Sequence, residues 1–145
     1  MNEFQAAFGF LQLIYIDMSI EEQTSIAQNY REQLKEIPGI TILDDITGVK
    51  HCYSYFPVLI AKEITGRTRD EVYDYLKSHN IFTRRYFYPL ITYFPVYREL
   101  DSARPENLPV AGRIAENILC LPIYPELSFE TTKIICKILG NVCRP

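Results

Sequence analysis

Tryptophan is missing from this sequence, and histidine, methionine and glycine are scarce, at two, two and six copies in 145 residues. The two histidines, His51 and His79, fall on a loop and at a helix end. Neither has a cysteine or carboxylate at ligand spacing, so no metal site is expected. The four cysteines (Cys52, Cys120, Cys136 and Cys143) form no CxxC pair and read as reduced, mostly buried thiols. No run approaches the roughly 18 apolar residues that a membrane-spanning helix requires. Met1-Asn-Glu lacks the basic start of an export signal, which predicts a cytoplasmic protein with no membrane partner. Positive charge is not in excess either. Fifteen Lys and Arg face 18 Asp and Glu, for a net charge of −3, which argues against nucleic acid as a partner. The GxSxG, Walker A, GxGxxG and HExxH patterns are all absent, as are repeats and low-complexity tracts.

What is present is a 48% apolar chain whose length suits one domain with an ordinary core. Charge is unevenly spread. Residues 1–50 carry eight acids against three bases, and residues 67–113 carry eight bases against six acids. A phosphate-bearing ligand is therefore expected near the middle of the chain.

Hydrophobic spacing predicts a helix from Phe4 to Ile16. Phe4, Ala7, Phe8, Leu11, Ile14 and Tyr15 cover one face, while Ala6, Phe10, Leu13 and Ile16 cover most of the other. Only Gln5 and Gln12 interrupt the apolar surface, so this helix must be buried nearly all round. It is either a central core helix or one that packs against something outside this chain. Ser19 and Glu22 form a capping-box pattern that predicts a second helix, stopped by Pro38-Gly39. Tyr53 to Ala61 reads as a strand, with Pro57 arguing for an edge position or a bulge. Thr68 and Glu71 open a helix to about Ser78, and Ile81 to Tyr88 reads as a further strand. Pro109 opens another helix, Cys120 to Ile123 is a short strand, and Ser128 caps the last helix. The fold class expected is α+β, a small, mostly antiparallel sheet with helices packed on one face.

The densest polar and aromatic cluster is Thr83-Arg-Arg-Tyr-Phe-Tyr-Pro-Leu90, followed by Tyr93-Phe-Pro-Val-Tyr97. An arginine fork suits phosphate, and tyrosine rings suit a sugar or base. Arg84, Arg85, Tyr86 and Tyr88 are the candidate substrate-binding residues. As strand neighbours, Arg84 and Arg85 should point to opposite faces. The alternative is an aromatic strand packing its rings inward beside a solvated arginine. Asp44-Asp45 reads as a solvated turn pair. None of the six lysines (Lys35, Lys50, Lys62, Lys77, Lys133, Lys137) advertises the desolvated setting that a covalent lysine requires.

These segments resemble the DegT/DnrJ/EryC1/StrS aminotransferases, pyridoxal-phosphate enzymes that aminate keto groups of nucleotide-linked sugars. The most specific match is Met1-Asn-Glu-Phe-Gln-Ala-Ala-Phe-Gly-Phe-Leu-Gln-Leu13. It continues through Ile26-Ala27, Tyr30, Leu34 and Ile37-Pro-Gly39, then Tyr55-Phe-Pro-Val58 and Arg69-Asp70 with Val72 and Leu76. Arg85-Tyr-x-Tyr-Pro-Leu90 and Leu121-Pro-Ile-Tyr-Pro-x-Leu-Ser128 complete it. The chain departs from the family in lacking an arginine pair near Glu22-Gln23. Ile91-Thr92 also stands where many members carry a histidine after Pro89-Leu90.

The resemblance covers the family's C-terminal portion, the small domain of fold-type I pyridoxal-phosphate aminotransferases. It implies that the cofactor lysine, the acid facing the pyridine nitrogen and the ring-stacking aromatic belong to a large domain upstream. No catalytic or cofactor-binding residue is assigned to this chain, and pyridoxal phosphate is not expected to bind it alone. The resemblance further implies that residues 1–37 form a helical interdomain segment and residues 38–145 the α+β small domain. It also implies a truncated product or fragment that binds a nucleotide sugar weakly or not at all, while the uncharged face of helix 4–16 predicts that the isolated chain self-associates. A stand-alone binding or dimerisation module that reuses this fold is the alternative.

Overall fold

A computed structural model describes residues 2–144. Its first element is a single 32-residue helix, α1 (Glu3–Leu34). The cap is Asn2, whose side chain accepts from the Gln5 amide while the Gln5 side chain accepts from the Asn2 amide. The break expected at Ser19 does not occur. No glycine or proline lies between Phe10 and Leu34, so the backbone has no reason to leave the helix there. Thr24 and Ser25 instead bond back to the carbonyls of Ile20 and Glu21 within the helix.

Only the second half of α1 is packed: Ile26, Ala27, Tyr30 and Leu34 are buried. The first half is in solvent, with Phe4 88% and Leu13 68% exposed. The central-core reading of this segment is thereby corrected: the few elements of this chain leave nothing to wrap it.

Gly39, at φ +79°, turns the chain into β1 (Ile40–Ile42) against Thr65, whose Cγ2 would lie 2.6 Å from an added Cβ. β2 (Phe56–Ile60) follows a long connection. Next come α2 (Lys62–Thr65), α3 (Arg69–Ser78), α4 (Pro109–Asn117), β3 (Ile118–Leu121) and α5 (Phe129–Val142). The sheet is antiparallel, in the order β1-β2-β3. Phe56, Val58, Ile60, Leu119 and Leu121 form its core face, and α1, α3 and α5 pack there with Tyr30, Leu34, Val72, Leu76, Ile135 and Leu139.

Pro57 lies in the central strand, in regular register with β3, rather than at an edge or a bulge, which corrects that expectation. β1 ends opposite Val58, so the imide nitrogen of Pro57 faces a side with no partner strand. The strand expected over Ile81–Tyr88 shrinks to one bridge, in which Arg84 and Cys120 exchange backbone hydrogen bonds of 3.0 and 2.8 Å. Asn80 and Phe87, at φ 59° and 45°, bend the chain on either side of that bridge. Among the described residues no helix is long and apolar enough to cross a membrane.

Candidate functional site

Thr68 caps α3 through its hydroxyl and the Glu71 carboxylate, which sets where the helix starts. Arg69, Val72 and Leu76 then share the inward stripe, and Arg69 is only 2% exposed. A buried guanidinium is costly unless its donors are met. Here Nη1 donates to the carbonyls of Ala115 (3.1 Å) and Ile118 (3.2 Å), and Nε donates to Asp70 Oδ1 (2.8 Å). The ring of Tyr88 covers the guanidinium, centroid to carbon 4.6 Å.

Asp70 Oδ1 also lies 3.3 Å from Nε of Arg85. The Arg85 guanidinium sits 4.4 Å from the Tyr73 ring centroid and 5.8 Å from that of Tyr88. Arg84 leans the other way. Its Nη1 donates to the Tyr55 hydroxyl (3.2 Å), and Tyr86 meets Tyr55 edge-on at 5.2 Å. The four candidate residues therefore divide into two groups, Arg84 with Tyr86 and Arg85 with Tyr88. Arg69, Asp70 and Tyr73 join the second group, which sequence reasoning did not assign to a site. The signal for Arg69 was its place at i, i+3, i+7 with Val72 and Leu76, a charge on an apolar stripe. A cleft of about 380 Å³ opens beside Arg69 and Tyr88, but Glu63 and Glu116 on its walls make it a poor place for an anion.

A second polar cluster joins α1 to the β1–β2 connection. Arg31 Nη2 donates to Asp45 Oδ1 (2.7 Å), and the Tyr53 hydroxyl donates to Asp45 Oδ2 (2.6 Å). Partial burial, then this bond to Asp45, raises the Tyr53 pKa. Asp45 stays solvent-accessible but is more than the turn former expected; two donors distant in sequence converge on it. His51 accepts from the Tyr53 amide, and His79 lies against the Tyr75 carbonyl. Among the described residues no group of three His, Cys, Asp or Glu could hold a metal ion. Cys120, Cys136 and Cys143 are buried free thiols and Cys52 is exposed, as the composition suggested.

All six lysines are exposed. Lys50 is held 2.8 Å from Asp17, and that hydrogen bond raises its pKa. A lysine that binds pyridoxal phosphate covalently must be neutral and desolvated. The exposed lysines of this chain do not fit that part.

The sequence profile of the DegT/DnrJ/EryC1/StrS aminotransferase family matches residues 1–140. The chain belongs to this family. Among curated family relatives, it is 46% identical over 139 residues to a dTDP-4-amino-4,6-dideoxy-D-glucose transaminase of Escherichia coli, covering 96% of this chain and 37% of that protein. A protein of the same name from Shigella dysenteriae is 37% identical over 142 residues, covering 98% of this chain and 38% of that one. Among solved structures, DesI in the presence of its TDP-sugar product superposes at a TM-score of 0.91 and 28% identity. That match covers 99% of this chain and 36% of DesI. The chain spans somewhat over a third of the length of these relatives.

Proposed function

We propose that this chain is the C-terminal part of a pyridoxal-phosphate aminotransferase acting on the keto group of a dTDP-linked sugar. The observation that carries the reading is 46% identity across nearly the whole chain to a dTDP-sugar transaminase, which favours it over a stand-alone module. The pyridoxal-phosphate anchor then belongs to the portion of the family that this chain does not span, and the chain contributes substrate contacts and packing. Residues 1–37 form the segment between the two portions, and residues 38–145 form the small domain. In isolation the chain self-associates through helix 4–16. A cytoplasmic location is part of the same proposal.

Contacts to the nucleotide sugar come from Arg84 or Arg85 and from Tyr86 and Tyr88. They supply cationic donors for phosphate oxygens and aromatic faces for a sugar or base. Few such contacts must offset the cost of association, so affinity for the isolated chain is expected on the order of millimolar or weaker. Titration with a dTDP-sugar, followed by backbone NMR, tests this. Shifts at residues 84–88 are expected; shifts confined to α1 would refute it.

A further inference from the structure

We infer that Asp70 is a positioning residue: anchored by the buried Arg69, it fixes the Arg85 guanidinium so that the outer edge faces an anionic ligand. The anchor is built from three elements. Arg69 belongs to α3 but its Nη1 is tied to the carbonyls of Ala115 and Ile118, where α4 gives way to β3. Its Nε holds Asp70 Oδ1 at 2.8 Å, so the carboxylate is referenced to the sheet and not merely to its own helix.

The same oxygen forms an ion pair with Nε of Arg85 at 3.3 Å, and the Arg85 guanidinium also lies against the rings of Tyr73 and Tyr88. A guanidinium recognises phosphate through the plane and direction of its donors, so fixing Nε fixes where the terminal nitrogens aim. Those terminal nitrogens donate to no other described residue. Two guanidiniums share the Asp70 carboxylate, and Arg85 stands outside the cleft that Glu63 and Glu116 line. Tyr88, placed against both guanidiniums, is oriented by the same unit.

That the anion is the diphosphate of a nucleotide sugar rests on the proposed function. The fixing of Arg85 does not. The two are separated by following the Arg85 Nε–Hε signal in the full chain with dTDP as the probe. In the unmodified chain this proton should exchange slowly with water and its signal should move on adding dTDP.

Asp70→Asn should speed the exchange several-fold and weaken dTDP binding about tenfold, because a loosened arginine must be ordered on binding. Asp70 is half exposed, so the Val72 and Leu76 methyl signals should keep their folded dispersion. Asp70→Glu, which restores the charge, should recover slow exchange, and Arg69→Lys, which weakens the anchor, should speed it. Unchanged exchange or an unchanged dTDP midpoint in Asp70→Asn overturns the inference. If dTDP moves no Arg85 signal while the exchange contrast persists, the nucleotide-sugar reading of this site fails and the role of Asp70 in fixing Arg85 stands.

Discussion

Tyr30 has no exposed surface, donates its hydroxyl to the Pro122 carbonyl at 3.0 Å, and stacks on Phe56 at 5.0 Å. Tyr30→Phe keeps the ring contact and removes the donor, leaving the partly buried Pro122 carbonyl without this bond. The expected loss is about 1–2 kcal/mol, read as a lower urea midpoint at constant m-value. The thiols give a second test at this scale. Burial raises Cys120 and Cys143 to about 11 and Cys136 to about 12, from an ordinary 9.0. Burial likewise pushes the Tyr30 hydroxyl up. Unfolded thiols therefore release protons at lower pH than folded ones. Stability fully present below pH 9 should fall as pH rises through about 12, and urea midpoints at about pH 8 and about pH 10.5 should differ in that sense. Cys52, exposed and lowered by the Ser54 hydroxyl beside it, should be alkylated first, which peptide mapping would show.

At the scale of elements, α3 and α5 were legible because their caps, Thr68 and Ser128, and their apolar stripes agree. The Ser19-Glu22 pattern has the same letters and caps nothing. A capping box acts only where the chain already leaves the helix, and nothing around Asp17-Met18 forces it out. The strand expected over Ile81–Tyr88 failed for the converse reason: its β-rich composition could not outweigh the turns at Asn80 and Phe87. The Arg69–Asp70–Arg85 arrangement was readable only in part. Asp70 and Arg85 come together through α3 and the β3 bridge, a pairing no local spacing encodes. The exposed half of α1 yields a prediction of its own. Phe8 and Leu11 are 65% and 53% exposed on a continuous uncharged surface. The combined change Phe8→Glu and Leu11→Lys should convert a self-associating chain to monomer in light scattering, with thermal stability within about 0.5 kcal/mol of the parent. Persistent association would point to another surface, such as the exposed apolar run at Phe87, Ile91 and Val96.

For the whole molecule, the exposed lysines predict how it meets free pyridoxal phosphate. Solvated amines lack the desolvated setting that activates a covalent lysine, and they capture the aldehyde weakly. Borohydride reduction and peptide mapping should therefore find label spread over several lysines. A stoichiometric product on one lysine would show a desolvated amine that the fold as described does not contain. The unbroken course of α1 has a further consequence, one of phase. With 3.6 residues per turn, deleting one residue ahead of Ile26 would swing everything before it by about 100° about the axis while the core stayed in place. Such a deletion would carry Asp17 away from Lys50 and aim Phe4, Phe8 and Leu11 in a new direction. Deleting seven residues would return them within about 20° of their bearing, about 10 Å nearer the sheet. The outer half of the helix is thus a pointer whose bearing is set by residue count alone.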